Sequence, residues 1–115
     1  MIDFACKQFN LDDIIKCSLG LTRAEFRILQ FFVQNHGQEF AANMISRRTK
    51  LNLTTIQKAV KKLAEKKVIL RSQRNLDSGG YIFLYRCNSK ENIRGILKAI
   101  IRRWSRIIED KIDGW

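Results

Sequence analysis

TKLNLTTIQKAVKKLAEKKVILRSQRNLDSGG, residues 49–80, runs directly into YIFLYR at 81–86. Ile56, Val60 and Leu63 recur at intervals of four and three, the spacing of one buried helix face. Asn52 stands where an N-cap would open that helix, which the pattern predicts over residues 53–66. Val68, Ile69 and Leu70 follow at once, then a polar, Gly-rich segment, then the apolar run from Tyr81 to Tyr85. This predicts two strands, 68–74 and 80–86, around a turn at Asn75–Gly80. The remaining positions carry Lys58, Lys61, Lys62, Lys66, Lys67, Arg71 and Arg74. A cationic helix followed by a cationic hairpin has the shape and charge to sit on a nucleic-acid duplex.

Upstream, residues 42–48 predict a short helix with Ala42, Met44 and Ile45 inward. Arg48–Asn52 is then a turn, with Leu51 plugging the core beneath it. Gln38–Ala41 reads as a short strand pairing with the later hairpin. Thr22 with Glu25 three residues on is a capping box, opening a helix whose apolar face is Phe26, Ile28, Leu29, Phe32 and Val33. Gly37 is the expected C′ residue that stops it. In residues 2–19, Ile2, Ala5 and Phe9, then Ile14, Ile15 and Leu19, predict one broken helix or two short ones, with Asn10 or Asp12 capping the second. Ser89 caps a final helix over roughly 90–112. Its apolar stripe runs through Ile93, Ile96, Leu97, Ile100, Ile101, Trp104, Ile107, Ile108 and Ile112. A chain this small cannot cover so long a stripe, so a second copy is the expected cover, in a two-fold dimer. The competing arrangement packs this helix on the first helix of its own subunit.

With 115 residues and no proline, repeat or low-complexity stretch, the chain is expected to form one domain. Its parts are an N-terminal helical segment (1–20), a core (21–88) and a C-terminal dimerisation helix (89–115). The fold class expected is mainly α with a small β component (α+β). Charge is unevenly spread within a net of +11. Residues 1–40 are nearly neutral and 77–115 mildly basic, whereas 41–76 hold ten basic residues against one acid, Glu65. Such a block creates a potential attractive to phosphates. No apolar run suits a membrane span, the N-terminus lacks the look of a signal peptide, and a cytoplasmic protein is expected. Cys6, Cys17 and Cys87 are widely spaced and form no CxxC pair, so neither a metal site nor a disulfide framework is expected. They read as small buried apolar residues, with a redox role between subunits as the rival.

The order of these elements resembles that of winged helix-turn-helix transcriptional regulators, over nearly the whole chain. Leu21-Thr-x-x-Glu25 with Ile28, Leu29 and Phe32 is similar to the opening helix of the multiple-antibiotic-resistance-regulator (MarR) and sugar-regulator (TrmB) types. Leu51, Ile56, Val60 and Leu63, followed by Lys66-Lys67-Val68-Ile69, resemble a recognition helix entering its first wing strand. Asp77-x-Gly79-Gly80-Tyr81 stands at the wing tip. Small proteins of this kind are frequent in archaea and their viruses. Two departures are visible: most relatives carry glycine where Lys67 stands, and no added ligand-binding domain is present.

The resemblance implies double-stranded DNA as partner and a homodimer as the working form. Base contacts would come from Thr54, Thr55, Gln57, Lys58 and Lys61, and phosphate contacts from Arg47, Arg48, Lys50 and Lys62. Arg71, Arg74 and Asn75 of the wing would follow the backbone or enter the minor groove. Tyr81, Phe83 and Tyr85 are expected to pack the wing on the core, with single-strand stacking as the rival. His36, the only histidine, reads as a solvated helix-end residue. No cofactor is implied, an effector is unspecified, and neither a catalytic constellation nor a phosphate loop is present, so no enzyme is expected. Three other readings remain: an architectural, sequence-tolerant DNA coat; a winged helix for protein contact in transcription or replication machinery; and a redox- or metabolite-gated repressor.

Overall fold

The computed structural model describes residues 1–115. In chain order the elements are β1 (Ile2–Phe4), β2 (Lys7–Phe9), α1 (Leu11–Leu19), α2 (Arg23–Gln34), α3 (Ala42–Thr49), α4 (Leu53–Glu65), β3 (Ile69–Asn75), β4 (Tyr81–Cys87) and α5 (Lys90–Asp113). The fold is α+β, a winged helix-turn-helix in which β3 and β4 form the two-stranded wing. Ile28, Phe32, Ile45, Ile56, Leu63 and Val68 are all fully buried, so α2, α3, α4 and the wing root share one core.

Local chemistry accounts for the helix ends. Asn10, not Asp12, caps α1 by accepting from the Asp13 amide at 2.8 Å. In α2 the Thr22 hydroxyl accepts from the Glu25 amide while the Glu25 carboxylate accepts from the Thr22 amide, the reciprocal pair of a capping box. Asn52 accepts from the Thr54 amide at 2.8 Å to open α4, and Ser89 accepts from the Asn92 amide to open α5. At the end of α4 the Val68 amide donates to the Leu63 carbonyl and the Lys67 amide to the Ala64 carbonyl. These are the two bonds of a Schellman ending, and Lys67 takes its left-handed position at φ +65. The helix ending for which the resemblance led one to expect glycine is thus made here by a lysine. Asn88 secures it, donating to the Lys67 carbonyl at 2.8 Å.

Several expectations give way. Residues 2–9 are not helical but form a hairpin pairing Ile2 with Phe9 and Phe4 with Lys7. The helical spacing of Ile2, Ala5 and Phe9 passed over Phe4, whose alternation with Ile2 is the strand signal, and Ala5 turns the chain at φ +52. Gly37 does not stop α2: the helix ends at Gln34, where the Asn35 amide and side-chain amide both donate to the Phe31 carbonyl. The strand expected at 38–41 shrinks to one bridge, Phe40 to Tyr85, closed by two backbone bonds of 2.9 and 2.8 Å. Met44 faces outward, leaving Ile45 to anchor α3. Cys6 at the hairpin turn and Cys17 on the outer side of α1 are exposed, and only Cys87 is buried.

The long helix α5 divides in two. Ile93, Ile96, Leu97 and Ile100 are half-buried against the subunit's own core, where α5 meets α1. From Ile101 onward every residue is exposed. The radius of gyration is therefore 17.0 Å, against about 13 Å for a compact chain of this length. The molecule measures 62 × 24 × 24 Å. No helix is long and apolar enough to cross a membrane.

Candidate nucleic-acid interface

On α4, Thr54, Gln57, Lys58 and Lys61 are exposed and spaced three, one and three apart, which places them on one helix face. The opposite stripe, Ile56, Ala59, Val60 and Leu63, is fully buried and fixes the rotation of the helix. Thr55 and Lys62 belong to a third line, two turns apart, that looks toward α2. Thr55 is half-buried there. Lys62 donates to the Gly20 carbonyl and pairs with Glu25 Oε1 at 3.0 Å. Lys62, expected among the phosphate contacts, thus also clasps α4 to the start of α2. Burial raises the Glu25 carboxyl's proton affinity, but the Thr22 amide and the Lys62 ammonium outweigh it and hold the pKa below its ordinary value of 4.5.

Arg47 and Arg48 are exposed on the last turn of α3, and Lys50 follows in a left-handed turn at φ +60. Neither arginine pairs with an acid, since Lys62–Glu25 is the structure's one ion pair. Arg48 instead lies over the rings of Phe31 and Phe40, 5.5 and 5.3 Å from their centroids. The helix-turn-helix corner is braced from below, where Ser46 Oγ donates to the Leu51 carbonyl at 2.6 Å and Thr49 Oγ1 to the Ile45 carbonyl at 2.7 Å.

The wing pairs Ile69 with Cys87 through to Asn75 with Tyr81, seven pairs in all. Side chains alternate along a strand, so Arg71 and Asn75 share one face and Arg74 lies on the other. The sequence reading grouped them; the structure separates the two arginines. Arg71 sits 4.4 Å above the Phe83 ring, and Tyr81 stacks edge-on against Phe83 at 5.3 Å. Of the three aromatics expected to pack the wing down, only Tyr85 is buried; Phe83 is half-buried and Tyr81 is exposed. Burial also raises the pKa of the Cys87 thiol at the wing root, against a smaller opposing pull from Lys90.

Between the wing and the start of α4 lies an open cleft of about 360 Å³. Leu53, Gln57, Asn43, Ile82 and Phe83 line it. Leu53 and Asn43 were absent from the expected site. A leucine one residue after a cap reads as core, yet Leu53 is 40% exposed, three residues before the buried Ile56. Its place on the first turn, beside the Asn52 cap, was the signal available.

Comparisons with known proteins agree with this architecture. A solved structure from Methanosarcina mazei Go1, described as a possible transcriptional regulator, superposes with a TM-score of 0.93 and 40% identity, covering 100% of this chain and 96% of that one. A protein from the thermoacidophilic archaeon Sulfolobus tokodaii gives a TM-score of 0.67 at 22% identity, over 84% of this chain and 92% of its own. A mutant of MepR from S. aureus, bound to an oligodeoxyribonucleotide, shares the fold at a TM-score of 0.55 and 12% identity, over 90% and 72% of the two chains. The family model for the DnaD N-terminal domain matches residues 9–106, and the chain belongs to that family.

Proposed function

We propose that this protein is a sequence-specific double-stranded DNA-binding transcriptional regulator that works as a homodimer. The observation that carries the reading is the exposed face Thr54–Gln57–Lys58–Lys61, flanked by Arg47, Arg48 and Lys50 on one side and the basic wing on the other. A major groove admits a helix and displays a distinct donor and acceptor pattern for each base pair. Gln57 suits adenine, Lys58 suits guanine, and the Thr54 methyl suits thymine. Arg47, Arg48 and Lys50 hold phosphates and set the register, while Arg71, Arg74 and Asn75 follow the backbone or the adjacent minor groove. The name of the M. mazei relative and the oligodeoxyribonucleotide held by the MepR mutant support the reading. So does the resemblance to MarR- and TrmB-type regulators in the opening helix.

Selection of the purified protein against random duplex DNA at moderate salt tests it. An enriched inverted repeat, with half-sites about one helical turn apart, is the expected result. Binding without enrichment would instead make the protein an architectural coat. A second reading, a winged helix for protein contact in transcription or replication machinery, draws on the DnaD N-terminal domain match and the exposed apolar half of α5. Failure to bind any duplex at low salt would favour it.

A further inference from the structure

The charges of α5 are unevenly spread along its length. Apart from Glu91 in the first turn, the charges of its first two thirds are basic, Lys90, Arg94 and Lys98 among them, whereas Glu109, Asp110 and Asp113 crowd its last turns around a single base, Lys111. Arg94 with Lys98, and Glu109 with Asp113, are like charges four apart, which repel on an isolated helix. Carboxylates at a helix C-terminus also oppose the helix dipole. None of these four side chains forms an ion pair within the subunit.

Beside the first half of α5 lies an apolar groove of about 390 Å³. Leu11, Ile14 and Ile15 of α1 and Val33 of α2 form one wall, and Ile93, Leu97 and Ile101 form the other. Lys90, Arg94 and Lys98 line its rim. Beyond it the same helix projects Trp104, Ile107, Ile108 and Ile112, which are 62, 48, 39 and 60% exposed. The groove's stretch of α5 and the projecting stretch are each about 18 Å long at 1.5 Å per residue.

Building on the homodimer proposed above, we infer that the occupant of this groove is the projecting half of α5 from a second copy, laid antiparallel. The register follows from the charges. Residues 94 and 113, and residues 98 and 109, are both symmetric about the midpoint between 103 and 104. A two-fold axis there sets Arg94 against the partner's Asp113 and Lys98 against the partner's Glu109, and repeats both pairs across the dimer. In an antiparallel pair related by such an axis, the same flank of each helix meets its counterpart, as these pairs require. Trp104 packs beside the partner's Trp104 at the centre. The partner's Ile108 and Ile112 enter the groove between α1 and α5. The acids that are unfavourable on one chain thereby complete the basic rim of the other.

Sedimentation of the full-length chain, without DNA, tests the register independently of duplex binding. The wild type is expected to dimerise. Glu109→Lys with Asp113→Lys should raise the dimer dissociation constant on the order of tenfold, since four pairs become repulsive. Adding Arg94→Glu and Lys98→Glu to that chain should restore it, because the pairs are rebuilt with reversed sign. Trp104→Cys, in a Cys6→Ser and Cys17→Ser background, should give a disulfide-linked dimer on mild oxidation. Reversal without effect, or without rescue, or no linkage at position 104, would overturn the register while leaving a dimer standing. A monomeric wild type would overturn both this inference and the dimer on which it rests.

Discussion

Two residues at φ +65, Gly20 and Lys67, end their helices with the same pair of backbone bonds, and the comparison isolates what a side chain costs there. Glycine adopts this region freely, whereas a Cβ crowds the following carbonyl by about 1–2 kcal/mol. Part of that penalty is offset because lysine has less unfolded-state freedom to lose than glycine. Lys67→Gly is therefore expected to stabilise the protein by about 0.5–1 kcal/mol, read as a higher urea midpoint. A lower midpoint would mean that the lysine stem holds contacts worth more than the strain. Nothing about lysine itself announces a positive φ; only the resemblance, with its glycine at this position, marked it. The Thr22–Glu25 cap, by contrast, was legible as a motif, but its third member, Lys62, was not, being 37 residues from Glu25. Because Glu25 titrates below its ordinary 4.5 in the folded state, its contribution is present above that value. It is lost as pH falls through the lower folded pKa. Thermal melts across that acid range should show the decline, and Glu25→Gln should flatten it.

At the scale of elements, α4 and the wing were readable because each carries a strong period. Ile56, Val60 and Leu63 repeat at helical spacing, and Gly79 and Gly80 mark the turn where both adopt positive φ. The N-terminal hairpin was not readable, because three-residue strands leave too few alternations to outweigh a chance helical spacing. The rotation of α4 decides how its residues divide. Gln57→Ala or Lys58→Ala should weaken specific binding far more than non-specific binding, by about 1–3 kcal/mol at the contacted base pair. Arg71→Ala or Arg74→Ala should weaken both alike and lower the salt slope by about one. Titrations of matched and scrambled duplexes at several salt concentrations measure both quantities. Indistinguishable losses from the two groups would remove the division between reading and gripping. Lys62→Ala should also act through stability, by releasing Glu25.

Across the whole molecule, the core and the projecting helix are separate investments of apolar surface. Residues 101–115 are exposed throughout, so deleting 102–115 should leave the melting of the remaining subunit within a few degrees of the monomeric full-length chain. The same deletion should abolish dimers in sedimentation and weaken binding to a paired site, which loses the gain from linked half-sites. A truncated chain that fails to fold would show that the second half of α5 serves its own subunit. The sequence disclosed the apolar stripe along α5 but not where the core stops covering it. That boundary depends on how far α1 reaches, which periodicity does not encode. The wing has its own boundary of this kind. Leu84, Tyr85 and Cys87 are buried at its root, and Phe40 is bonded to Tyr85 there, whereas residues 71–81 are exposed on both strands. Mechanically this is a cantilever clamped at one end, whose compliance grows with distance from the clamp. A load at Arg74 or Asn75 would therefore bend the beam about its root, most at the tip and least beside Phe40.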